Sequence, residues 1–138
     1  MELIESPKSA YLLEASLEVF HFESNEWLSE IALWKDETAF FQKLLEIIAP
    51  KAKTPIQKVQ LERLENKNIY YRHEVLNEMK NNVVLHEKYL SDLLDTTIED
   101  SEQAYREKHK FISDNVLNFK SEFKNLKKQL FALSEEIL

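Results

Sequence analysis

The 138-residue chain contains no glycine and no cysteine, and only three prolines. Without glycine there is no phosphate-cradling glycine loop, no two-residue hairpin turn at positive φ and no glycine helix cap, which argues against α/β and all-β folds. Serine-hydrolase, phosphate-loop and dinucleotide-fold chemistry lose their turns for the same reason. Without cysteine there are no disulfides, no thiol nucleophile and no cysteine metal site. The N-terminus lacks a basic region followed by an apolar core, and no apolar run approaches the length of a membrane span. These absences point to a soluble cytoplasmic protein forming one domain over 1–138.

Positive charge is scarce in one place. Residues 1–50 hold 3 Lys against 10 Asp and Glu, whereas the remainder holds 15 basic and 15 acidic residues, so the net charge of −7 lies wholly in the first third. An acidic face repels nucleic acid and anionic lipid, whose binding rests on neutralising phosphates. Neither is expected as a partner. Lys120, Lys124, Lys127 and Lys128 are interleaved with Glu122 and read as a solvated helix face rather than a basic stripe.

What the chain does have is apolar periodicity. From Tyr105 the spacing of four and three runs through His109, Ile112, Val116, Phe119, Phe123, Leu126, Leu130, Leu133 and Ile137. Such a seam belongs to a long helix packed lengthwise on others. A second seam runs Leu13, Leu17, Phe20, Ser24, Trp27, Ile31, Trp34, Thr38, Phe41, Leu45, Ile48, and its phase holds across Phe22–Asn25. It predicts one continuous helix; the alternative is a break near Asn25, which gives a four-helix bundle. Leu12, Leu28, Phe40, Leu44 and Ile47 widen this apolar face, which must therefore touch more than one neighbour. Pro50 ends the helix. Thr54-Pro55-Ile56-Gln57 is a capping box with proline in the first turn. The helix it opens carries Leu61, Leu64, Ile69, Leu76, Met79, Val83, Leu90 and Leu93, with a phase shift near Asn68 and Arg72 that resembles a four-residue stutter. Ser6-Pro7 and Thr96-x-x-Glu99 are further start signals, the latter after a turn at Asp95–Thr97.

Helices over 8–49, 54–94 and 97–138, each about 60 Å long at 1.5 Å per residue, joined by short connections, predict an all-α, antiparallel up-down-up bundle of three long helices. In that register His21 lies level with Asn82, and His109 level with Val83, one turn from His86. Three histidines from three helices then gather near Glu18, Glu87 and Glu107. His/carboxylate clusters of this kind hold metals in helical bundles, so His21, His86 and His109 are the candidate metal ligands. Against this stands the pattern itself, with one Glu-x-x-His motif (Glu18 to His21) where di-iron bundles use two. The competing account is a structural polar layer of Asn68, Arg72, Asn82, His86 and His109 that fixes register and partner choice. Arg72 is expected near Glu30 or Trp34, and His73 faces solvent with little to suggest phosphotransfer. Trp27, Trp34, Phe40 and Phe41 read as core or interface anchors. No catalytic residue and no cofactor is expected. The sequence favours a non-enzymatic interaction or assembly protein that binds a protein partner or itself, for example as a homodimer; the alternative is a small metal- or ligand-binding bundle.

Overall fold

The computed structural model describes residues 7–95 and 99–138, with side chains described over 17–95 and 102–138. The proposed caps at Ser6 and Thr96, and the side chains of Leu12 and Leu13, lie outside these residues. Helix α1 spans Pro7–Ile48, α2 Pro55–Tyr70, α3 Leu76–Leu94 and α4 Glu99–Ile137. A π-helical turn, Tyr71–Val75, joins α2 to α3 into one rod. The fold is an all-α bundle of three long rods, up-down-up. Among the described residues no helix is long and apolar enough to cross a membrane.

Helix α1 runs unbroken through Phe22–Asn25 over its 42 residues, so the four-helix alternative does not arise. The reason is tertiary. Ser24 lies wholly inside the bundle, between Leu17 and Trp27 in the buried seam, and packing of that face outweighs the weak helix propensity of Ser and Asn. Pro50 sits in a single 3₁₀ turn, Ala49–Lys51, followed by extended Ala52. Thr54 Oγ1 then accepts from the Gln57 N–H at 3.1 Å, and Gln57 Oε1 accepts from the Thr54 N–H at 3.4 Å, closing the capping box. Gln57 Nε2 also donates to Glu136 Oε1 at 2.9 Å, which ties the start of α2 to the end of α4.

The middle rod departs from a regular heptad in an instructive way. Its buried positions are Gln57, Leu61, Leu64, Asn68 and Tyr71, then Leu76, Met79, Val83, His86, Leu90 and Leu93. Every step is three or four residues except Tyr71 to Leu76. One extra residue would rotate all later side chains off the core, because a helix turns about 100° per residue. The π turn absorbs it. The stutter expected from the sequence is thus a one-residue insertion, and Ile69, expected in the seam, is 42% exposed while Asn68 and Tyr71 face inward. The turn is held from outside the rod as well. Asn77 Nδ2 donates to the His73 carbonyl at 2.9 Å, and Asn77 Oδ1 accepts from Lys35 of α1.

Among the described residues two apolar clusters form the interior. The larger joins all the helices around Trp34, Phe41, Tyr71, Phe119 and Phe123; the smaller holds Leu17, Leu90, Leu93 and Tyr105. Phe119 and Phe123 stack at 5.3 Å, and the Trp34 ring lies 5.0 Å from Phe119. Glu30, one expected neighbour of Arg72, instead meets Lys120 of α4 at 3.9 Å, and Trp34, the other, is occupied by Phe119 and Phe123.

Candidate functional site: a histidine relay between the two apolar clusters

His86 on α3 and His109 on α4 occupy seam positions between the large and small clusters, and both are buried. His86 Nε2 and His109 Nδ1 are 2.9 Å apart, and His109 Nε2 lies 2.8 Å from Glu23 Oε1 on α1. One hydrogen-bonded line therefore crosses all three rods and reaches solvent at the half-exposed Glu23. The proton positions follow from the partners. A carboxylate only accepts, so His109 Nε2 carries a hydrogen; in a neutral ring Nδ1 then accepts from the His86 Nε2–H. This leaves His86 Nδ1 a bare lone pair, and it is buried with no hydrogen-bond partner among the described residues.

Aromatic rings wall the line on both sides. Tyr105 lies parallel to the His86 ring at 4.2 Å, Phe20 stacks on His109 at 4.2 Å, and Trp27 covers it at 4.6 Å. Burial, then the neighbouring His109, then Lys108 push His86 down from 6.5 to about 4, so it is neutral near pH 7. Burial, reinforced by Glu87, raises the Tyr105 hydroxyl, which is itself buried without a hydrogen-bond partner among the described residues.

His21 takes a different place. Its Nδ1 bonds Glu87 Oε2, and Asn25 Nδ2 approaches its Nε2 at 3.3 Å. Together with Leu17, Glu18, Leu90, Ser91 and Leu94, these two side chains line an open cleft of about 520 Å³ between α1 and α3. The structure thus joins His86 to His109, and sets His21 on Glu87 at the bundle surface. Among the described residues, no group of three or more His, Cys, Asp or Glu is arranged to hold a metal ion. In the relay the nitrogens facing one another are already engaged in a hydrogen bond, which leaves Nδ1 as the free nitrogen of His86 among the described residues.

The remaining polar positions are dispersed along the rods. Asn68 is buried, and its Nδ2 donates to the Thr38 carbonyl at 2.9 Å while its Oδ1 has no partner among the described residues. Arg72 is half-buried on the π turn, and Asn82 is half-buried in a shallow cleft with Asn115 between α3 and α4. Sequence reasoning missed Glu23. The available signal was the seven-residue repeat Glu23, Glu30, Glu37 along one edge of α1. These carboxylates meet His109, Lys120 and Lys127, the last at 2.9 Å. Lys120 and Lys127, read as solvated, are therefore interhelical partners of the kind that flank a coiled-coil seam. No protein-family model matches the chain, and no curated protein or solved structure matches it.

Proposed function

We propose that the protein is a non-enzymatic interaction or assembly module of the cytoplasm, acting through the outer surface of its bundle. The observation that carries this reading is a line on α1. Leu33, Phe40 and Ile47 recur every seven residues and are each more than half exposed, at 58%, 57% and 58%. Single exposed apolar residues are ordinary. A straight row of three large ones along a rod is what a lengthwise partner covers. The acidic first third supports protein over nucleic acid as that partner.

The experiment is sedimentation velocity on the wild type and on Phe40→Glu, up to about 100 µM, a range that captures micromolar contacts. The expected result is a mass that rises with concentration and falls back in the variant, with helicity unchanged. A strict monomer throughout removes the self-assembly reading. The metal or ligand reading, resting on His21, His86 and His109, draws support from His86 Nδ1, which has no hydrogen-bond partner among the described residues. Its test is elemental analysis after incubation with ferrous iron and with zinc; stoichiometric metal that His109→Leu abolishes would favour it over assembly.

A further inference from the structure

We propose that the face shared by α1 and α4 binds a second copy of this chain, side by side and running in the same direction. The inference rests on the assembly reading and names its partner and register. The starting point is the height of the two helices. Glu30 meets Lys120 and Glu37 meets Lys127, so α1 and α4 run parallel, and each residue of α1 is level with the α4 residue ninety positions later. Three residues beyond these pairs, at the angle that points straight out of the two-helix face, stand Leu33, Phe40 and Ile47 on α1. On the corresponding line of α4 stand Leu117, Lys124, Phe131 and Leu138, the three apolar ones exposed by 60%, 45% and 68%, so that Lys124 is the neighbour of Leu33 in height. Phe40 stands within one residue's rise of Phe131, and Ile47 within one of Leu138. Phe41, beneath them, touches both phenyl rings, at 6.0 and 5.8 Å.

Charge selects the occupant. In a dimer whose two-fold axis runs along the helices, α1 of one copy lies on α4 of the other at equal height. The outer flank of α1 then brings exposed Asp36 within two residues' rise of Lys128 of the partner subunit, and exposed Lys43 within two of Glu135 of the partner subunit. Both contacts are of opposite sign, and both are made twice. The antiparallel alternative lays α1 on α1, acidic rod on acidic rod, where Glu26, Asp36 and Glu46 meet their own kind. The face is large enough. From Val19 to Ile47 it runs about 40 Å at 1.5 Å per residue, and two helices' width gives roughly the 800 Å² per partner of a standard interface.

The test is the dimer dissociation constant, by sedimentation, for the wild type, Lys43→Glu, Glu135→Lys and the double variant. All of these positions are exposed, and unchanged helicity confirms the fold. Each single change places like charges face to face and is expected to weaken the dimer about tenfold. The double change restores opposite signs, and the constant should return to within about twofold of wild type. A dimer indifferent to both single changes, or one the double change fails to rescue, overturns this face and register while leaving self-assembly standing. A monomer at every concentration overturns both and assigns the apolar row to a different protein.

Discussion

His86 and His109 face each other nitrogen to nitrogen at 2.9 Å inside the bundle, and only His109 has a carboxylate, Glu23, at its far side. This asymmetry decides how the pair behaves when protons are added. Glu23 lies against His109, whereas burial, His109 and Lys108 all oppose a charge on His86, which stacks on Tyr105.

Stability should therefore fall with acid. The pKa of His86 is lowered in the folded state to about 4 from 6.5, so its contribution is complete above pH 6.5. As the pH drops through that value the unfolded chain takes up a proton that the folded chain refuses. The loss grows to about 3 kcal/mol near pH 4. For a chain of this size that is about 10 °C in the thermal midpoint. His86→Leu should flatten the profile between about pH 4.5 and 7; an equally steep profile in the variant would assign the acid sensitivity elsewhere.

Glu23 is the clamp on His109. Glu23→Ala should cost about 1 kcal/mol by urea unfolding, since a half-exposed charged hydrogen bond is worth little more. Glu23→Gln keeps an acceptor oxygen and should cost less. The His109 Nε2 proton, observed by nitrogen-edited NMR, should exchange faster with solvent in the alanine variant than in either of the others.

Deleting His73, which is exposed within the π turn, removes the extra residue and turns the five-residue step from Tyr71 to Leu76 into four. The prediction is a fully helical protein with an unchanged or raised midpoint. A deletion at Lys120 in α4, where the seam has no spare residue, should instead unfold the chain, because every later core side chain rotates outward. If the two deletions prove equally damaging, the π turn is more than an accommodated insertion.

Asn68→Leu replaces a buried amide that makes one hydrogen bond and leaves Oδ1 unpartnered. Stability should hold or rise, as for other half-satisfied polar groups exchanged for apolar ones of similar size. The expected cost is uniqueness of register, visible as broadened or doubled NMR resonances for Thr38 and Tyr71 at the same height.

The sequence carried the architecture because burial follows period. The α4 seam is buried from Tyr105 through Leu133, and the α1 seam from Ser24 to Ile48. Thr54–Gln57 and Pro50 marked the first turn correctly, since caps and proline act locally. The neighbourhood of His86 and His109 was also legible, from helix lengths alone. Heights across that turn were not. His21 meets Glu87 rather than standing level with Asn82, because the 3₁₀ turn and the extended residues after it set α1 about one turn off the simple count. Glu23 stayed hidden for another reason. Periodicity registers apolar residues, and Glu23 sits one position beside the seam, where a carboxylate looks like any solvated one.

The histidine pair also partitions the interior. On one side lies the cluster built on Trp34, Phe119 and Phe123; on the other, among the described residues, lie Leu17, Leu90, Leu93 and Tyr105 with Phe20 and Tyr89 packed against them. A layer of imidazoles transmits little hydrophobic cohesion between them, so the rods resemble two springs joined in series rather than one. Force or heat applied to the whole should open the small cell first and leave the large one closed. Amide hydrogens around Leu90 and Tyr105 would then exchange well before those around Leu45 and Leu130, and protonation of His86 would widen that gap.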